Sequence, residues 1–117
     1  MRILIVEDDV VTALDAELAL MGAGHVVVGT AAREEEAVRM ALRERPDVMV
    51  LDMQLADGGS GPRVAERVRA VLDVPVVFAS GSLGPAERRS LAALEPVAMI
   101  DKPYHDAQLL GAVAQAA

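Results

Sequence analysis

Five short apolar runs alternate along the chain with segments of helical periodicity. The runs cover residues 3–6, 25–28, 48–51, 74–78 and, more weakly, 98–100. Uninterrupted aliphatic stretches of this length predict strands buried on both faces. Between the first two runs, Leu14, Leu18 and Met21 recur at i, i+4 and i+7, which predicts a helix that Gly22 can end. A second helix is expected over about residues 33–44. Ala37, Val38, Ala41 and Leu42 form its stripe, three Glu crowd its first turns and Pro46 follows its end. Pro62 opens a third helix, with Val64, Val68 and either Val71 or Leu72 turned inward. A fourth starts near Pro85 and ends before Pro96, and a fifth runs from Asp106 to the terminus.

Strands alternating with helices predict parallel βαβ units and a sheet covered on both faces. Five strands with single intervening helices favour an α/β, flavodoxin-like (βα)5 doubly wound sheet in the order 2-1-3-4-5. With 117 residues the expectation is one domain over residues 1–117. Ligands of such sheets bind beyond the carboxyl ends of the strands, so chemistry is sought in the residues that follow each run.

Composition then narrows the chemistry. Eleven basic against eighteen acidic residues give a net charge of −7, which argues against direct binding of nucleic acid. Phe78 and Tyr104 are the only aromatics, too few for a base-stacking platform. The absence of Cys removes disulfides and thiolate metal sites. No run is long enough to span a membrane and no export signal opens the chain, so the expectation is a cytoplasmic protein.

The strand ends carry an unusual set of side chains. Glu7, Asp8 and Asp9 follow the first run, Asp52 the third, Ser80 and Gly81 the fourth, and Asp101, Lys102 and Pro103 the fifth. Taken singly, Asp8 or Asp9 can be a helix N-cap, Ser80 a loop residue and Lys102 a solvated charge. Asp52 has no helix starting beside it. In the expected fold these ends converge. Clustered carboxylates repel unless a cation joins them. Mg2+ prefers oxygen ligands, and Glu7, Asp8, Asp52 and the backbone carbonyl of Gln54 can supply them. A carboxylate beside Mg2+ can attack a phosphoryl group and become an acyl phosphate. Lys102, Ser80 and backbone N–H groups would then face the transferred oxygens.

The chain resembles the receiver domain of two-component response regulators over essentially its whole length. The resemblance is carried by Glu7-Asp8, by Val50-Leu51-Asp52-Met53, by Pro75-Val76-Val77-Phe78-Ala79-Ser80-Gly81 and by Asp101-Lys102-Pro103-Tyr104, in that order and at the family's spacings. It implies that Asp52 is the phosphoacceptor, that Glu7 and Asp8 hold Mg2+ with it, that Ser80 is the switch hydroxyl and that Lys102 pairs with the acids and then with the phosphoryl group. It also implies a cis peptide bond between Lys102 and Pro103, and Gly61 as the glycine that often precedes the third helix. The expected donor is a sensor histidine kinase or phosphotransfer protein. The expected output is a changed interaction with an unknown downstream protein, from a monomer or weak dimer with no attached output domain. It would not be an enzyme beyond its own phosphorylation and dephosphorylation.

Several positions depart from the pattern. Met99 stands where the family's aromatic switch residue usually lies, and a thioether cannot repeat the swing of a ring. Gly81 replaces a common Ala. Phe78-Ala79-Ser80-Gly81 is similar to a Phe-Ala-Thr-Gly run of some stand-alone receivers, but Ser82 follows it here instead of an aromatic residue. The fifth helix lacks basic residues, which disfavours dimerisation through charged pairs. His25 and His105 are expected at the surface or in loops, without a phosphocarrier role.

Rival readings have less to stand on. Gly22-Ala23-Gly24 does not complete a dinucleotide fingerprint, and no Gly-Lys-Ser/Thr loop or G-x-S-x-G elbow exists. An Asp-nucleophile phosphatase similar to the haloacid-dehalogenase-like family would need a second Asp where Gln54 stands. A phosphorylation-independent scaffold would be expected to lose an acid or the Lys, and this chain keeps them.

Overall fold

The computed structural model describes residues 1–117. Its elements are β1 (Arg2–Val6), α1 (Val10–Gly22), β2 (Val26–Ala31), α2 (Glu34–Glu44), β3 (Val48–Asp52), α3 (Gly61–Arg69), β4 (Val76–Ser80), α4 (Pro85–Ala92), β5 (Ala98–Asp101) and α5 (Asp106–Ala114). The five strands form one parallel sheet in the order β2-β1-β3-β4-β5, as the alternation of elements predicts.

Alternate strand residues point to opposite faces, and this divides the core in two. Leu4, Val6, Met49, Leu51, Val76 and Phe78 face α2, α3 and α4. Ile3, Ile5, Val48, Val50 and Val77 face α1 and α5. The central strands are therefore apolar at consecutive positions because both faces are covered.

Helix α1 forms where the spacing predicts it, but it does not pack by that stripe. Leu14, Leu18 and Met21 are 51%, 59% and 53% exposed, and the buried positions are Ala13, Ala16 and Leu20. The helix is apolar nearly all round, so the spacing of its largest residues does not identify the core face. Ala13 and Ala16 bring the helix close to the sheet, Leu20 anchors its last turn, and the other large residues are left outside.

Strand β2 starts one residue later than expected and runs three further, to Ala31. Gly29 and Thr30 end the apolar run without ending the strand. Ile3 pairs with Val27 and Leu4 with Gly29, leaving Val28 as the extra residue of a bulge. A side chain at Gly29 would lie 2.9 Å from the Met40 sulfur. His25 lies before the strand, with its Nδ1 3.0 Å from the terminal amine of Met1. Strand β4 is shifted toward the C-terminus and includes Ser80, so Ser80 is a strand residue and not a loop residue. Val71 is exposed and Leu72 packs against the core. Helix α5 stops at Ala114, short of the terminus.

Caps fix the helix starts nearest the sheet's carboxyl edge. The Asp9 carboxylate accepts a hydrogen bond from the Thr12 amide at 2.9 Å, and Ser60 Oγ accepts one from the Arg63 amide at 3.3 Å. Pro62 occupies the first turn of α3. No helix is long and apolar enough to cross a membrane.

Candidate functional site

The carboxyl ends of β1, β3, β4 and β5 bring Glu7, Asp8, Asp52, Ser80 and Lys102 to one edge of the sheet. Glu7 directly follows β1 and is buried, its amide donating to the Ala31 carbonyl at 2.8 Å. Its carboxylate accepts from the Asp9 amide at 3.1 Å and from the Lys102 ammonium. Asp52 ends β3 and is half-buried; its Oδ1 accepts from the Met53 amide at 2.8 Å and lies 3.3 Å from Lys102 Nζ. Asp8 is exposed. Carboxylate oxygens of Glu7, Asp8 and Asp52 all lie within 4.8 Å of one another.

Lys102 is the cation against this cluster. Burial pulls its pKa down, but the hydrogen bond to Glu7 and the charges of Asp52 and Glu7 outweigh it, and the net shift is upward. The ammonium is therefore retained at neutral pH. Its backbone amide donates to the Ser80 carbonyl at 2.8 Å, which fixes β5 against β4 beside the site. The Lys102–Pro103 peptide bond is cis. Burial, together with the charge of Glu7, raises the pKa of the neighbouring Tyr104 hydroxyl.

Ser80 is buried at the end of β4, and its Oγ accepts from the Ser82 amide at 3.2 Å. Met99 is half-buried in β5 and packs against the core.

The loop between Asp52 and α3 has a defined shape. Asp57 and Gly58 both have positive φ, at 58° and 75°, and the Gly59 amide closes the turn onto the Ala56 carbonyl at 3.2 Å. Leu55 donates to Gly59 at 2.9 Å and Gly61 to Met53 at 3.1 Å, so Gln54 and Ser60 face each other in a one-rung antiparallel bridge. Gly61 is required by contact rather than by φ: a Cβ there would lie 1.8 Å from the Asp52 carbonyl oxygen. The carbonyl of Gln54 accepts no backbone hydrogen bond and remains available.

This donor set fits a hard divalent cation. Every candidate ligand is an oxygen, three are carboxylates, and the carbonyl of Gln54 lies two residues after Asp52. Beside such an ion, the arrangement offers an oxygen nucleophile, a fixed ammonium and a hydroxyl.

Of the two acids that could cap the first helix, Asp9 is the N-cap of α1, and its pKa is lowered first by the Thr12 amide. One feature was not visible from sequence. Glu34, which reads as a first-turn residue favoured by the helix dipole, reaches across to Ser60, Arg63 and Arg67. Only a fold that sets α2 beside α3 gives that contact its meaning.

Comparison with known proteins places residues 3–114 in the family described as response regulator receiver domain. The chain is 36% identical over 116 residues to the phyllosphere-induced regulator PhyR of Methylorubrum extorquens, covering 98% of this chain and 43% of that protein. The signal receiver domain of a modulated diguanylate cyclase from Desulfovibrio desulfuricans superposes with a TM-score of 0.88 at 29% identity, over 98% of this chain and 91% of that one. The PhyR response regulator REC domain of Erythrobacter litoralis gives 0.84 at 29%, over 98% and 88%. The chain spans less than half the length of the curated relatives it matches.

Proposed function

Because this chain belongs to the response regulator receiver domain family, we propose that it accepts a phosphoryl group on Asp52 from a phosphohistidine of a sensor kinase or phosphotransfer protein. The carrying observation is the Asp52 carboxylate at a strand end, 3.3 Å from Lys102 and inside the oxygen cluster of Glu7 and Asp8. In the reaction an Asp52 oxygen bonds to phosphorus as the phosphorus–nitrogen bond to the donor imidazole breaks. The electron pair of that bond leaves with the imidazole, and Asp52 becomes an acyl phosphate.

Glu7, Asp8, Asp52 and the Gln54 carbonyl would hold Mg2+. When bound, the ion neutralises phosphoryl charge and lets the carboxylates approach it. Lys102 supplies the second positive charge. With its pKa raised it stays protonated, so it pairs with the acids before transfer and with a phosphoryl oxygen afterward. Ser80 Oγ is held by one hydrogen bond, to the Ser82 amide. Turning toward a phosphoryl oxygen would release that amide and alter the loop that leads into α4. Phosphorylation thereby biases an equilibrium of the β4–α4 region, and the output is a changed protein–protein contact.

The exposed apolar side of α1 supports a protein donor. Val11, Leu14, Leu18 and Met21 form an unpartnered stripe on the helix that starts directly beyond Glu7 and Asp8. A groove of about 620 Å³ runs alongside, lined by Thr12, Asp15, Lys102 and Tyr104 among others. This reading is of a cytoplasmic signalling domain and not of a metabolic enzyme. A phosphorylation-independent scaffold is the second reading, favoured by Met99 in the place of an aromatic switch.

Intact-mass spectrometry after incubation with Mg2+ and acetyl phosphate tests the proposal. A Mg2+-dependent gain of one phosphoryl group, about 80 Da by mass arithmetic, that disappears in Asp52→Asn is the expected result for an aspartyl nucleophile. If neither acetyl phosphate nor a phosphohistidine protein labels the folded chain, the acceptor reading falls and the scaffold reading takes its place.

A further inference from the structure

The loop that carries Gln54 is held from outside the acidic cluster, chiefly by Glu34 of α2. Its Oε1 accepts from the Ser60 amide at 3.1 Å and from Arg63 Nε at 2.9 Å, and its Oε2 accepts from Arg67 at 3.1 Å. The Glu34 side chain is only 15% exposed although it opens a helix. A Cβ at Gly59 would lie 3.1 Å from the Glu34 Cβ, so the loop lies directly on this residue. Burial pushes the Glu34 pKa up, but hydrogen bonds from Arg63, the Ser60 amide and Arg67 outweigh it, and the carboxylate stays ionised.

What Glu34 holds is one step from the metal site. Ser60 faces Gln54 across the one-rung bridge, so the Ser60 N–H points out of that bridge, where Glu34 receives it. Arg63 adds a second tie, from its guanidinium to the Gly58 carbonyl at 2.9 Å. The loop tip is fastened separately: the Ala56 amide donates to Ala32 at 3.0 Å and Arg33 pairs with Asp57 at 3.0 Å. The Leu55–Gly59 and Gly61–Met53 bonds set the rung between Gln54 and Ser60, and the Glu34–Ser60 bond anchors that rung to α2.

We propose that Glu34 is a positioning residue for the divalent cation, holding the Ser60 rung so that the Gln54 carbonyl is presented as a ligand. It touches neither the ion nor Asp52. The inference rests on the Mg2+ site proposed above. Outer-shell groups that orient a ligand typically change metal affinity by about 10- to 100-fold. A backbone ligand with a second fastening at its loop tip belongs at the lower end of that range.

The test is calorimetric titration of Mg2+ into the full chain, without phosphodonor, for wild type, Glu34→Ala, Glu34→Gln and Arg67→Ala. Glu34→Ala should raise the Mg2+ Kd roughly tenfold. Glu34→Gln keeps an oxygen for the Ser60 amide and should stay within about twofold of wild type. Arg67→Ala removes the ion pairs to Glu34 and Glu35 but not the loop bond and should do the same. With acetyl phosphate, the Mg2+ concentration for half-maximal labelling should move with the Kd, while the rate at saturating Mg2+ changes little. If Glu34→Ala does not fold, Glu34→Asp replaces it, since it keeps the charge but falls short of Ser60. Unchanged Mg2+ affinity in a folded Glu34→Ala or Glu34→Asp overturns the proposal. Equal losses in Glu34→Gln and Arg67→Ala also overturn it, because they would trace the effect to charge and not to the loop bond. Wild type that binds no Mg2+ removes the metal site itself, an outcome distinct from wild-type binding that Glu34 variants leave unaltered.

Discussion

The two sides of the site are built differently. On one side, α2 and α3 bury Ala37, Val38, Ala41, Val64, Ala65 and Val68, and Glu34, Glu35, Arg63 and Arg67 lace the two helices together. On the other side, α4 buries only Leu91. The α4 start has no side-chain cap, and its ties near the site are Arg88 to the Leu83 carbonyl and to Asp101, both at 3.3 Å. Asp52 and the Gln54 loop belong to the well-fastened side, whereas Ser80 leads into the weakly fastened one. The contrast separates two tasks. Under the function proposed above, ligands to an ion would have to be held in place, and the segment that reports the reaction would have to be cheap to move.

This comparison can be broken from either side. The largest effect is expected at Gly61→Ala, where the new Cβ would meet the Asp52 carbonyl oxygen at 1.8 Å. Backbone on both sides leaves no room to yield, so the cost should exceed about 3 kcal/mol, above ordinary overpacking. Denaturant melts should show a large loss of stability, and phosphoryl labelling should fall with it. Stability near wild type would mean that the β3–α3 loop is not the rigid wall described. Leu91→Ala should cost about 2–3 kcal/mol, the lower part of the range for a buried Leu, because the cavity can close around a single residue. Mg2+ affinity should remain, since no metal-facing group is touched. A loss of Mg2+ binding equal to the loss of stability would join the two sides that the comparison separates. Arg88→Ala removes one exposed ion pair and should cost less than about 1 kcal/mol. Its signature is kinetic, with faster amide hydrogen exchange at Ser82 and Gly84 and unchanged exchange at Ser60. Equal acceleration at Ser60 would contradict the contrast.

The sequence displays the frame of this architecture more fully than its fastenings. Residues 3–6, 48–51 and 74–78 mark the central strands because burial on both faces leaves no room for polar residues. Asp52 stands out because it directly follows such a run, and Lys102 because it lies two residues beyond the weaker run 98–100. The course of β2 was less legible, since Gly29 and Thr30 break the apolar run while the strand goes on to Ala31. Helix α1 misled for a physical reason: hydrophobic size is not depth, and a helix seated on Ala13 and Ala16 can leave Leu14, Leu18 and Met21 in solvent. The role of Glu34 was not readable at all, because its partner amide at Ser60 is 26 residues away and depends on the placement of two helices.

The seating of α1 on alanines has one further consequence. The Ala13 and Ala16 contacts carry little shape information and Leu20 anchors only the last turn, so the inner face of the helix constrains the identity of its outer residues weakly. Leu14, Leu18 and Met21 can change without reworking the core, since exposed substitutions generally shift stability by no more than about 0.5 kcal/mol. With α1 as the docking face proposed above, who the domain meets is thereby uncoupled from whether it folds. A chain built this way can acquire a new counterpart, or be insulated from an unwanted one, by rewriting a few outward positions while Asp52 and its surroundings stay as they are.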